Sequence, residues 1–138
     1  MTEEMLSALL VYTEAEHFPA LETALMTQAL RLRRAATCGE AWLALRGLDP
    51  PHLVFTDTRL ADGSWADVLR GAAGVPTSVK VIVVGRSLDT GLYLDALEEG
   101  AFDLILPPFV ASDLAHIVRL AGSDVLLRRA KGVNEALP

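Results

Sequence analysis

The alternation of short apolar runs with amphipathic stretches constrains the fold of this chain more than any other feature. The clearest run, residues 79–84, is rich in valine and isoleucine, which is typical of a strand buried on both faces. Residues 8–12 and 53–57 form similar runs, residues 32–37 form a weaker and more basic one, and residues 102–106 form a fifth. These patterns predict five β-strands, with the basic one at a sheet edge.

Stretches with helical spacing separate the predicted strands. The first ends near Leu30, and four more cover residues 40–47, 65–72, 90–99 and 111–129. Because strands and helices alternate with short connections, we expect a parallel sheet in the order 2-1-3-4-5, covered on both faces by five helices. The sequence therefore predicts one α/β domain over residues 1–130, followed by a flexible tail over residues 131–138.

This strand order also predicts where a site would lie. Ligand sites in open α/β sheets lie at the carboxyl ends of the strands, where the strand order reverses. Here that point falls between the first and third strands, so Tyr12, Thr13 and Glu14 should converge with Asp57 and the loop after Val84. Any small-ligand site is expected at these loops.

Charge and cysteine content disfavour several classes of partner. The chain has 12 basic and 18 acidic side chains and a net charge of −6, which disfavours nonspecific binding to nucleic acid or to an anionic membrane. Cys38 is the only cysteine, so one chain can form neither a disulfide nor a cysteine-based metal site. No apolar stretch approaches the roughly 20 residues that cross a bilayer. We expect a cytoplasmic protein without nucleic-acid or membrane partners.

The sequence offers little sign of an enzyme. The three histidines, His17, His52 and His116, are predicted to lie far apart, which argues against a metal or catalytic cluster. The serines lack the flanking glycines of a nucleophile elbow, and the first β–α loop lacks the glycines that cradle phosphate. We therefore expect no catalytic residue, no bound metal and no cofactor.

Three segments carry a family resemblance. They are the run 53–57 that ends at Asp57, the Asp62-Gly63 pair, and the stretch from Gly100 to Asp103 that leads to Pro108-Phe109. With them, the chain resembles the receiver domain of two-component response regulators over residues 6–121. The resemblance implies a flavodoxin-like fold. It also implies that Asp57 is the phosphoacceptor candidate, since in that family the matching aspartate accepts a phosphoryl group from a histidine kinase.

The other functional positions of the family are changed in this chain. The resemblance implies a Mg²⁺-binding acidic pair after the first strand, a hydroxyl residue ending the fourth strand, an aromatic switch residue on the fifth strand and a lysine after it. In this chain Tyr12 and Thr13 occupy the positions of the acidic pair, and Gly85 occupies the position of the hydroxyl residue. Leu104 stands in place of the aromatic residue, and Pro107 stands in place of the lysine. Mg²⁺ prefers oxygen ligands, and loss of one charge-stabilising group typically costs about 10²–10³ in rate. We therefore expect that the Mg²⁺ site has lost most of its capacity to bind the ion.

Two interpretations of the function follow, and a third has no direct support in the sequence. The preferred reading is an atypical stand-alone receiver domain that acts by protein–protein contact in signalling, without Mg²⁺-dependent phosphorylation. The alternative is a working phosphoacceptor that needs Mg²⁺ and uses Asp57 with supporting residues from the candidates Glu14, Arg59, Arg86 and Ser87. The third is a small-ligand sensor built around Tyr12, Asp57 and Arg86.

Two pairs of apolar residues are candidates for a protein interface. Leu92 and Tyr93 fall on the fourth predicted helix, and Leu126 and Leu127 fall near the end of the last one. Contiguous exposed aliphatic side chains usually mark contact sites, whereas the competing interpretation is that these residues cover the sheet. The expected partner is a histidine kinase or another regulator, or a second copy of the chain in a homodimer.

Overall fold

The computed structural model describes the backbone of residues 5–136 and the side chains of residues 5–131. Twelve helices and strands are described in this range. In chain order they are β1 (Leu6–Val11), α1 (Phe18–Leu25), β2 (Leu30–Ala35), α2 (Cys38–Arg46), β3 (Leu53–Asp57), β4 (Arg59–Leu60), β5 (Gly63–Ser64), α3 (Trp65–Ala73), β6 (Lys80–Val84), α4 (Thr90–Glu98), β7 (Asp103–Ile105) and α5 (Ala111–Ala136).

Five strands form one parallel sheet in the order β2-β1-β3-β6-β7, with five helices around it. This confirms the predicted α/β architecture and the predicted strand order, including the edge position of the basic strand β2. The antiparallel pair β4–β5 was not predicted, because two-residue strands leave no periodic pattern in a sequence. It forms a small hairpin directly after Asp57.

Each face of the sheet carries its own apolar core. Leu10, Phe55 and Ile82 point to the face covered by α1 and α5, whereas their neighbours Val54 and Val83 point to the face covered by α2, α3 and α4. Successive side chains of a strand point to opposite faces, so a strand covered on both sides must be apolar throughout. Full burial of one such side chain stabilises the fold by about 1.5–3 kcal/mol.

The boundary between α1 and β2 differs from the prediction. The helix ends at Leu25 instead of near Leu30, and Leu30 begins β2, which was predicted over residues 32–37. Leu30 fits the helical spacing of the preceding residues, but its side chain is buried in the same core cluster as Leu25. Packing in the folded chain therefore overrides the local pattern.

Helix α5 is longer than predicted and passes through Gly122 without interruption. A Cβ atom at Gly122 would lie 2.5 Å from Leu6 Cδ1, so the glycine allows α5 to pack closely on β1. The helix continues to Ala136, so most of the segment predicted as a tail over residues 131–138 is helical. Residues 137–138 lie outside the described part of the chain. The flexibility of this segment stays a prediction. None of the described helices combines the length and apolar character needed to cross a bilayer.

Candidate functional site

Asp57 lies at the carboxyl end of β3, between β1 and β6, with its side chain fully buried. Its Oδ1 atom accepts a hydrogen bond of 2.8 Å from the backbone N–H of Thr58. The buried hydroxyl of Thr56 donates to the carbonyl oxygen of Asp57 at 3.0 Å. A buried carboxylate is costly unless charge or hydrogen bonds compensate it, so its remaining partners decide what the site can do.

Arg86 supplies a positive charge to this carboxylate. Its Nη2 atom lies 3.3 Å from Asp57 Oδ2 and 3.4 Å from the carbonyl oxygen of Glu14. The guanidinium therefore bridges the loop after β6 and the loop after β1, across the carboxyl end of β3. The Arg86 side chain is 55% exposed, so one partner of this ion pair is hydrated while the other is fully buried.

His17 is the residue of this site that the sequence analysis missed. It precedes α1, and its ring lies against Phe18 and Phe109 with centroid separations of 5.1 and 6.4 Å. Its Nε2 atom lies 3.8 Å from Asp57 Oδ1, and no atom in the described part of the chain hydrogen-bonds to that nitrogen. The signal that was available is its position, since residues between β1 and α1 lie at the carboxyl edge of the sheet.

Burial, as the largest cause, holds the pKa of His17 below its ordinary value of 6.5. The negative charge of Asp57 and a backbone contact with Val84 raise this pKa, while the positive charge of Arg86 lowers it further. The net direction favours a neutral ring at neutral pH. The other two histidines lie elsewhere, because His52 accepts a hydrogen bond from Ser7 N at 3.0 Å and His116 contacts Arg119.

Of the four predicted supporting residues, Arg86 is the one whose side chain reaches Asp57. Glu14 contributes its backbone carbonyl to Arg86, while its side chain is exposed. Arg59 lies exposed on β4, and Ser87 is exposed after β6. In the described part of the chain, neither of these two side chains hydrogen-bonds to Asp57.

The residues at the altered family positions have structural contacts of their own. Tyr12 stacks on Phe18 with a centroid separation of 4.5 Å. The Thr13 hydroxyl donates to the carbonyl oxygen of Ala36 at 2.6 Å and accepts from the N–H of Ala61 at 2.9 Å. These contacts join the loop after β1 to the loop after β2 and to the turn between β4 and β5, and they leave no carboxylate at either position.

The position expected to hold a hydroxyl residue has no free space for a side chain unless Leu106 moves. Gly85 is buried, and a Cβ atom built there would lie 2.7 Å from Cδ2 of Leu106. A serine or threonine would therefore displace the Leu106 side chain. Among the described residues, no group of three or more histidine, cysteine, aspartate or glutamate side chains is arranged to hold a metal ion. The site is thus a buried carboxylate held by an arginine.

Comparison with known proteins finds one similar curated protein. No protein-family model matches the chain. Response regulator protein PilR of Pseudomonas aeruginosa is 34% identical over 123 residues, which cover 88% of this chain and 26% of PilR. This chain therefore spans about a quarter of the length of that curated relative.

Solved structures show the same architecture. The signal receiver domain of a putative Luxo repressor protein from Vibrio parahaemolyticus superposes with a TM-score of 0.78 and 21% identity, over 91% of this chain and 95% of that one. This chain has the receiver-domain fold. A response regulator receiver domain protein from Clostridium thermocellum matches with a TM-score of 0.76 and 21% identity, over 88% of this chain and 98% of that one. These likenesses show the fold of this chain.

Proposed function

We propose that this receiver domain is atypical and acts in signal transduction through protein–protein contact. In this proposal it is not an enzyme, and it works without a Mg²⁺-dependent phosphorylation cycle. One observation carries the proposal: Asp57 is fully buried and already paired with Arg86, while Tyr12 and Thr13 stand at the positions of the acidic pair.

The chemistry of phosphoryl transfer supports this reading. Such transfer depends mainly on positioning and on neutralising the negative charge of the phosphoryl group. A phosphodonor is an anion, and the site offers it a carboxylate whose neighbouring cation is Arg86. The positions where a family member would carry a hydroxyl and a lysine hold Gly85 and Pro107. Several stabilising groups are therefore missing together, and we expect Asp57 to be a poor phosphoacceptor.

The surface of α4 is suited to contact with another protein. Ala96 is the buried residue of this helix, whereas Tyr93, Leu94 and Leu97 on the helix are exposed, Leu94 by 52%. Leu88, two residues before the helix begins, is also exposed, by 83%. We call these four residues the α4 surface. Exposed apolar side chains grouped in this way usually mark an interaction site.

The predicted interface candidates are only partly on this surface. Tyr93 belongs to it, while Leu92 is half-buried, with its Cδ2 atom 3.8 Å from a Cβ atom built at Gly85. On α5, Leu127 is exposed and Leu126 is half-buried. Their role stays a prediction. A histidine kinase or another regulator is one class of partner for the α4 surface, and a second copy of this chain is the other.

The phosphorylation part of the proposal is tested by intact-protein mass spectrometry. The chain is incubated with acetyl phosphate and Mg²⁺ beside an Asp57→Ala control, and we expect no phosphoryl adduct on either protein. A parallel NMR titration with Mg²⁺ should show no saturable shift of the amides of residues 12–14 and 57. A wild-type adduct that is absent from the control would overturn the proposal.

The contact part is tested by light scattering coupled to size exclusion. If a second copy is the partner, wild type should be dimeric, Leu94→Glu should be monomeric, and Leu48→Glu should remain dimeric. Leu48 is a matched control, because it is fully exposed and lies after α2. A dimer that survives Leu94→Glu would contradict the assignment of the α4 surface to self-association.

A working phosphoacceptor is the alternative function. The observation that favours it is the 3.3 Å approach of Arg86 to Asp57, since this arginine supplies a cation to the carboxylate while Pro107 stands at the position of the family lysine. Mg²⁺ and a histidine kinase would then be required. This alternative predicts an adduct that is abolished by Asp57→Ala and strongly reduced by Arg86→Gln.

A further inference from the structure

A polar cavity lies at the end of the sheet opposite to Asp57. It has a volume of about 700 Å³ and lies between residues 75–80, which lead into β6, and the second half of α5. Asp57 pairs with Val84 at one end of β6, whereas Lys80 begins the strand at the other end. The cavity is therefore separate from the carboxylate site, and its properties are independent of the proposed function.

Two cations at this cavity share one carboxylate oxygen. Lys80 Nζ and Arg128 Nε each lie 2.8 Å from Oδ2 of Asp124. Among the described residues, the negative charge of Asp124 thus faces the two positive charges of Lys80 and Arg128, in a chain whose net charge is −6. The Arg128 side chain is 61% exposed, and its terminal amino groups hydrogen-bond to no group in the described part of the chain.

Hydroxyl and apolar groups complete the lining. Thr77 and Ser78 are half-buried, and their side-chain hydroxyls make no hydrogen bond within the described residues. Ala72, Val75 and Val79 form an apolar wall. Free donors next to an apolar wall are the usual composition of a small-molecule site, and the cavity volume falls within the roughly 300–1,000 Å³ typical of such sites.

The lining loop is held in place by α5. Arg129 Nε donates to the carbonyl oxygen of Ser78 at 3.0 Å, and its Nη2 donates to the carbonyl oxygen of Pro51 at 2.7 Å. These bonds tie the loop before β6 and the loop before β3 to the same helix. The cavity therefore needs little reorganisation to receive a ligand, which lowers the cost of binding.

We propose that this cavity binds a small organic phosphate monoester. The phosphate would lie against Lys80 and Arg128, with the hydroxyls of Thr77 and Ser78 as further donors and the organic group on the apolar wall. A phosphate monoester carries a charge of about −1.5 to −2 at neutral pH and accepts hydrogen bonds through three oxygens. Arginine binds such oxygens through strong charge-assisted hydrogen bonds.

The test is an NMR titration of the full chain with adenosine monophosphate as the probe. We expect saturable shifts of the amides of residues 72–80 and 124–129. Arg128→Gln should raise the dissociation constant about tenfold or more, because a charge-assisted hydrogen bond is lost. Arg59→Gln is the matched control, because Arg59 is also exposed but lies beside the other end of the sheet, and it should bind as wild type does.

A second variant is expected to act in the opposite direction. Asp124→Asn removes the carboxylate that competes with the ligand for both cations, so it should tighten binding. No saturable binding by wild type, an equal loss in Arg59→Gln, or weaker binding in Asp124→Asn would each overturn the proposal. Inorganic phosphate and adenosine are titrated separately. If inorganic phosphate binds as tightly as the nucleotide, the apolar wall contributes nothing to binding. If adenosine binds as tightly as the nucleotide, Lys80 and Arg128 contribute nothing, and the proposal is overturned.

Discussion

The imidazole of His17 and the carboxylate of Asp57 lie side by side in a buried pocket, with Nε2 and Oδ1 3.8 Å apart. The separation is too long for a hydrogen bond, and 12% of the histidine side chain is exposed. Arg86 approaches the other carboxylate oxygen from the solvent side. Asp57 favours protonation of the ring and Arg86 disfavours it. Because burial also disfavours the charged ring, its protonation is coupled to folding.

The first prediction concerns pH. Burial depresses the pKa of folded His17 below 6.5, so the unfolded chain binds this proton more readily than the folded one. The contribution of neutral His17 to stability is therefore complete above about pH 6.5 and is lost as the pH falls. We expect the free energy of unfolding in urea to decrease from about pH 7.5 to about pH 5.5, and to decrease less in His17→Gln.

The control for this experiment is His116→Gln, which removes an exposed histidine from α5. It should keep the pH dependence of wild type. If His17→Gln loses as much stability as wild type over the same interval, His17 is not the group that links folding to pH. Asp57 and Arg86 are the charged groups that face His17, so they are left unchanged in both variants.

The second prediction concerns the pair of Arg86 and Asp57. Arg86→Gln leaves a buried carboxylate without its cation, which costs about 3–5 kcal/mol when both partners are buried. Because Arg86 is half exposed, we expect a smaller loss of about 2 kcal/mol in the free energy of unfolding at neutral pH. The double variant Asp57→Asn/Arg86→Gln removes both charges and should recover part of that loss. Additive effects of the two substitutions would show that the pair is not coupled.

A third expectation follows from the closed space at Gly85. Serine at this position places a Cβ atom 2.7 Å from Leu106 Cδ2, so the leucine must turn away. The displaced atom is the end of a flexible side chain, and we expect a cost of about 1 kcal/mol in unfolding experiments. Gly74→Ser is the control, since its nearest contact would be 3.4 Å, from the carbonyl oxygen of Arg70. The cost at Gly85 should shrink in a Leu106→Ala background, and a cost that persists there would contradict the steric explanation.

Thr13 provides the fourth test. Its hydroxyl both donates to Ala36 O and accepts from Ala61 N, and valine has the same shape without either capacity. We expect Thr13→Val to lower the free energy of unfolding by about 2 kcal/mol, since a hydrogen bond is usually worth about 1 kcal/mol and two are lost. Thr13→Ser keeps the hydroxyl and should lose less. Equal losses in the two variants would show that the methyl group, and not the hydrogen bonds, stabilises these loops.

The sheet and the place of Asp57 could be predicted because both depend on patterns that run through the chain. Apolar runs such as residues 53–57 and 79–84 fix which segments are strands, and their alternation with helices fixes the parallel order. An aspartate that ends one of these strands then has a defined location in space. Arg86 follows by the same reasoning, because it lies two residues beyond the end of β6.

The partners of Asp57 depend on side-chain directions in loops, which no periodicity records. Glu14 has the right charge, but its side chain is exposed and only its carbonyl oxygen takes part. His17 is three residues further along, where the first turn of α1 directs its ring inward against Phe109. Which of these neighbouring residues faces the pocket is decided by where the helix begins. That boundary is the least reliable part of any interpretation of a sequence.

Arg86 also connects the carboxylate to the exposed surface of the domain. It lies four residues before α4 begins, and that helix is anchored in the core by Ala96. Energetic coupling between two positions acts equally in both directions. A partner that draws α4 outward would therefore pull the guanidinium away from Asp57. Partner binding on one side of the domain would then open the ion pair at its centre.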